Sequence, residues 1–154
     1  MSDRISEHVS FKEGIKSHTA TRLNIDNAPS SLDLINMKTI AEKVFEPLRK
    51  FVGGPIAINS FYRSPKLNSA IGGSTTSQHC KGCALDIDDK YGYKTNAEMF
   101  EYIKCNLDYD QMIWEFGDVN NPDWVHVSYV SEDVNRRRCL IAYKEKGKTK
   151  YKQL

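Results

Sequence analysis

The sequence is short of cysteine, of any excess of charge and of long apolar runs. Four cysteines in 154 residues are too few to staple a disulfide scaffold, and a chain of this length buries a core without one. Twenty-two basic residues stand against 20 acidic ones, a formal net charge of +2. That balance gives no electrostatic argument for nucleic acid as a partner. No apolar run approaches the ~18 residues of a membrane span. The opening segment MSDRISEHVSFKEG is polar and lacks the apolar stretch of a secretory signal. The expectation is synthesis in the cytoplasm, with any target outside reached after lysis or by packaging in a particle. Repeats and long linkers are missing too. The 154 residues therefore read as one domain, with a core over about 10–143 and a basic tail over 144–154.

What is present is an alternation of helical and extended patterns. Ser10 and Glu13 stand at capping-box spacing and open a short helix. After the turn cluster NIDNAPSS, residues Leu34, Met37, Ala41, Val44, Phe45, Leu48 and Val52 recur at helical spacing. They predict an amphipathic helix over 31–52, kinked or cut short at Pro47. IAINSF, CALDID, QMIWEF, WVHVSYV and RRRCLIAYKEK read as strands. SPKLNSAIGG reads as a short helix or turn, and TNAEMFEYIKCN as a helix capped by Thr95 with Glu98 three residues on. Helices first, then strands around one further helix, predict an α+β fold with a mostly antiparallel sheet.

The chemistry concentrates in TTSQHCKGCALDIDD, residues 75–89. On a strand, Cys83, Leu85 and Ile87 share the core face, and Ala84, Asp86 and Asp88 the open one. Gly82 lets the chain turn sharply and bring His79 back toward that strand. His126, in DWVHVSY, shares a strand face with Trp124 and Ser128. His79, Asp86 and His126 together make a three-ligand set for Zn²⁺, with the fourth position left for water.

These segments resemble the zinc D-Ala-D-Ala carboxypeptidase and endopeptidase family of peptidoglycan enzymes. Its pattern is Ser-x-His-x-x-Gly-x-Ala-x-Asp, followed later by Trp-x-His or Trp-His. Here that is Ser77, His79, Gly82, Ala84 and Asp86, then Trp124 and His126. SHTATRLNIDNAPS, the stretch from EPLRKFVGG to STTSQH, and MIWEFGD resemble the phage-type branch, so the likeness covers roughly residues 10–130. The resemblance implies the hedgehog/DD-peptidase fold, one catalytic zinc ion, and hydrolysis of peptidoglycan stem peptides or cross-links by a phage or prophage lytic enzyme. Which bond is cut stays open. Relatives of this fold that act by binding keep a second class alive, a non-catalytic zinc-containing binding or virion module.

The resemblance also assigns roles. Asp123, three positions before His126, takes the place of the family's general base and is the expected base because it is fixed to the ligand strand. Glu115, in IWEFGD, is the alternative if the strands on either side of GDVNNP pair as a hairpin. Arg63 matches an arginine used on substrate carboxylate or on the reacting oxygen, and Ser77 a residue near the cleft. Blander roles compete with these. Asp123 fits turn chemistry in NNPDW, Arg63 fits a structural pair with Glu115, and Ser77 fits a local cap. Cys80 and Cys83 have Cys-x-x-Cys spacing, but Cys105 and Cys139 supply no second knuckle. The favoured expectation is that Cys83 packs inward and Cys80 fills a variable position. The alternating lysines 144, 146, 148, 150 and 152 predict an edge strand with all five on one face, or a solvated end.

Overall fold

The computed structural model describes residues 3–154. A small hairpin, β1 (Arg4–Ser6) and β2 (Val9–Ser10), leads into the helices α1 (Phe11–Ile15), α2 (His18–Leu23) and α3 (Ser31–Ile40). A π-helical turn, Ala41–Phe45, joins α3 to α4 (Glu46–Val52). Then follow β3 (Ala57–Ser60), α5 (Pro65–Ala70), a 3-10 turn (Gln78–Lys81), β4 (Ala84–Asp88), α6 (Asn96–Asn106), β5 (Gln111–Glu115), β6 (Trp124–Ser128), β7 (Arg138–Glu145) and β8 (Lys148–Gln153). The six main strands form one sheet in the order β3-β4-β6-β5-β7-β8. Every pairing in it is antiparallel except β5 with β7. The fold is α+β, as the order of patterns requires.

Local chemistry accounts for the helix ends. The Ser10–Glu13 capping box is complete at α1, and Thr95 with Glu98 forms another at α6. The long helical pattern runs from 31 to 52, but it is not one regular helix. Pro47 has no N–H to give the preceding turn and its ring crowds the carbonyl four residues back. The turn before it opens to π geometry, in which the Glu46 N–H reaches the Ala41 carbonyl. The apolar stripe survives this change. Met37, Ala41, Val44, Phe45, Leu48 and Val52 are all buried.

That stripe packs on one face of the sheet. Leu85, Ile87, Met112, Val125 and Val127 join Met37, Ile40, Leu48, Phe100 and Ile103 in a single core. The opposite face carries only a small apolar patch, Ile113, Leu140 and Ala142, with Phe116 against it. Strand parity therefore sends Ala84, Asp86, His126, Trp124, Ile113 and Glu115 to this second, open face.

The tail is a strand. Lys146 and Gly147, both in the left-handed region, turn β7 back into β8. This turn corrects the placement of the lysines. Lys150 pairs with Tyr143 and Lys152 with Ile141, on the helix-bearing face, whereas Lys144 pairs with Thr149 on the open one. The five lysines are thus divided between the two faces and the turn.

Candidate metal centre and catalytic cleft

β4 and β6 pair with Asp86 directly opposite His126, and the His126 Nδ1–H donates to Asp86 Oδ1 at 3.0 Å. His79 comes from the 3-10 turn before β4. Its closing residue, Gly82, has a φ of 74°. A Cβ there would stand 2.5 Å from the Asp33 carbonyl oxygen, so the turn needs glycine on two counts. The turn brings His79 Nε2 to 3.3 Å from Asp86 Oδ1 and packs the two imidazoles edge to face, 5.2 Å between centroids. The ligand atoms of His79, Asp86 and His126 lie within 4.8 Å of one another.

The protonation pattern of this trio fits a cation. His79 is 1% exposed, and burial pushes its imidazole pKa down despite the neighbouring Asp86 carboxylate. The neutral ring spends its one N–H, at Nδ1, on the Phe61 carbonyl at 2.7 Å. Its Nε2 is left as a buried lone pair with no hydrogen-bond partner among the described residues. That lone pair faces the Asp86 carboxylate, 3.3 Å from its Oδ1, the oxygen that also accepts from His126 Nδ1–H. Two acceptors facing each other in a buried place call for positive charge between them. Two imidazoles and a carboxylate, one imidazole fixed by a backbone carbonyl behind it, are the donor set and outer support that zinc sites use. The other group with metal-capable atoms among the described residues, Glu7, His8 and Glu46, is engaged internally. There Glu46 accepts hydrogen bonds from Ser6 Oγ, His8 N–H and His8 Nδ1–H.

A cleft of about 870 Å³ opens over the trio, lined among others by Arg63, Ser77, Glu115, Trp124 and Tyr151. A second cavity of about 540 Å³ adjoins it on the β3 side, and Arg63, Asp86 and Trp124 line both. Together they make a groove across the strands with the trio near its middle.

Glu115 ends β5, with its Cα opposite Trp124 of β6, so it shares the open face with His126. It is 8% exposed, and burial pushes its pKa up to about 7, with the His126 charge opposing and the Asp86 charge adding to that rise. Asp123 is placed differently from expectation. It is exposed, stands one residue before β6 and does not line the cleft. Only its backbone is engaged there, the N–H donating to the Glu115 carbonyl at 2.8 Å and the C=O accepting from Asn96. An odd offset from His126 along an extended chain points to the other side of the sheet.

Arg63 lies at the junction of the two cavities, its Nε buried without a hydrogen-bond partner. Among the described residues it forms no ion pair with Glu115. Ser77 lines the cleft but also caps the 3-10 turn, accepting from the His79 N–H at 3.3 Å. All four cysteines are free, Cys83 buried and Cys80 half-buried.

Supporting residues that the sequence did not mark as functional hold these groups in place. Asn27 donates to the Ile15 and Tyr62 carbonyls and accepts from the Ser64 N–H, pinning the segment that carries Phe61 and Arg63. Buried Asp110 binds Arg136 through two side-chain hydrogen bonds and accepts from Gln78, next to His79. Asn27 sits in what reads as a plain turn cluster, so no sequence signal sets it apart. A family model described as Peptidase M15 matches residues 7–128. No curated protein matches the chain.

Proposed function

The chain belongs to the peptidase M15 family, and from that premise we propose that it hydrolyses peptide bonds in the stem peptides or cross-links of bacterial peptidoglycan, with zinc held by His79, Asp86 and His126. The observation that carries this reading is the buried, partnerless Nε2 of His79 facing Asp86 beside a buried glutamate in an open groove. M15 peptidases are zinc-dependent. Zinc, when bound, lowers the pKa of a coordinated water to about 7 and polarises a carbonyl.

The chain's own residues supply the rest. Glu115 takes the role of general base in place of Asp123. It faces the trio, and burial sets its carboxyl at about 7, where a group both accepts and returns a proton near neutral pH. It accepts a proton from the attacking water and passes it to the leaving amine. Arg63 presents a guanidinium fork at the middle of the groove, suited to a substrate carboxylate or to the oxygen on which charge develops. The apolar floor of Ile113 and Leu140 offers a dry bed for small side chains such as alanine methyls. Glu115 and Arg63 together favour catalysis over a binding module. The likeness of MIWEFGD and neighbouring segments to the phage-type branch supports a lytic enzyme of phage or prophage origin, reaching the wall after release from the host or as a virion component.

The test is release of new amines from purified peptidoglycan by the zinc-loaded protein, with the fragments read by mass spectrometry. Glu115→Gln should keep zinc and lose at least about 10²-fold in turnover, while Asp123→Asn stays near normal. Activity that survives complete zinc removal overturns the metallopeptidase reading. Loss in Asp123→Asn with Glu115→Gln active returns the base to Asp123.

A further inference from the structure

The family match ends at residue 128, yet the groove is completed by residues beyond it. β8 adds an outer strand whose alternation sends Thr149 and Tyr151 to the open face. Tyr151 pairs with Ala142, and Ala142 with Glu115, so the three lie in a row across adjacent strands on one face. Two strand spacings put the Tyr151 backbone roughly 10 Å from that of Glu115. The residue between is alanine, which leaves room for a ring to lean across. Tyr151 lines the same cleft as His79, Asp86, Glu115 and His126. It is 53% exposed, and its hydroxyl makes no hydrogen bond among the described residues.

We propose that Tyr151 is a substrate-contacting residue of this cleft, its phenolic O–H donating a hydrogen bond to a main-chain carbonyl of the bound peptide. The inference rests on the peptidase reading above. The hydroxyl is a committed donor. Burial raises its pKa, and the Glu115 and Asp86 carboxylates raise it further, so the phenol keeps its proton at neutral pH. Those carboxylates give this part of the cleft acceptors, and Tyr151 adds a neutral donor on the β8 side to those that Ser77, Gln78 and Thr149 offer a peptide carbonyl. The C-terminal hairpin thus adds a determinant that the matched segment does not contain.

The experiment uses two readouts on the same muropeptides from purified peptidoglycan. One is kcat/KM of the zinc-loaded protein, and the other is binding to the zinc-loaded Glu115→Gln protein, measured by calorimetry. Tyr151→Phe removes only the hydroxyl and keeps the ring. It should cost about tenfold in kcat/KM and weaken binding, with unchanged thermal stability. Lys150→Ala, on the other face of the same strand, should leave both readouts unchanged. Tyr151→Phe within threefold of the parent in both readouts overturns the proposal. If muropeptides bind, and bind more weakly to the Tyr151→Phe variant, but are never cleaved, the contact stands and the peptidase reading fails. If they do not bind, both fall.

Discussion

Glu115 shows at the scale of a single residue how strand parity outranks position in a motif. Counting back from His126 selects Asp123. The hairpin of β5 and β6 instead puts Glu115 opposite Trp124 and on the face of Asp86 and His126, where burial lifts its carboxyl from 4.5 to about 7. That shift has a sign for stability. Between those values the folded, zinc-free protein binds more protons than the unfolded chain, so its stability falls as pH rises through the window. Glu115→Gln removes that slope. Urea unfolding of zinc-free protein should show no gain for the variant below about pH 4.5 and a gain of roughly 3 kcal/mol above pH 7. An equal difference at both pH values would mean that the charge of Glu115 is not what burial penalises.

At the scale of elements, much was legible because local chemistry and packing agree. Capping boxes mark α1 and α6, alternation marks β3 and β4, and short apolar runs mark β5 to β7. The stripe from Leu34 to Val52 is helical even where Pro47 forces the π turn. What the sequence hides has physical reasons too. β1 and β2 are too short to show a period. For β8 the alternating lysines of KTKYKQ suggested an edge strand, but not the turn at Lys146 and Gly147 that folds it back on β7. The convergence of His79, Asp86 and His126 was legible, since parity around Asp86 and a turn at Gly82 bring the three side chains together. Asn27, which pins the segment carrying Arg63, and Tyr151, which lines the cleft, become visible only through the fold. The 3-10 turn leaves little room for change. Gly82→Ala meets both the Asp33 carbonyl and a left-handed φ. It should destabilise the protein by about 1–3 kcal/mol in urea titration and weaken zinc retention with it. Retained stability would show that the helix behind the turn moves aside without cost.

The whole molecule sets its main helices, α3, α4 and α6, on one face of the sheet and the cluster of His79, Asp86 and His126 on the other, where α2 and the end of α5 border the groove. The proposed ligands His79, Asp86 and His126 join the turn before β4 to β4 and β6, so a metal held there would tie the turn to the sheet. Zinc should therefore raise the melting temperature of the parent protein, by a margin that grows with free zinc, because a ligand of the native state stabilises it by mass action. His79→Ala, Asp86→Ala and His126→Ala should each lose that response and carry no zinc by elemental analysis. Full occupancy in Asp86→Ala would remove Asp86 from the ligand set.

The hairpin that ends the sheet also governs how copies of this protein meet one another. β8 has a partner on one side only, so its outer row of backbone N–H and C=O groups is open to any extended chain. Lys148, Lys150 and Lys152 all project from that strand to one face. A second β8 docking edge to edge would crowd like charges at close spacing, a repulsion that discourages sheet-to-sheet polymerisation. With all three changed to valine, the strand gains the β-branched pattern of an aggregating edge. Light scattering of that variant should climb with concentration and time, while the parent stays monodisperse. Equal behaviour of the two would locate the protection in the strand's twist instead of its charge.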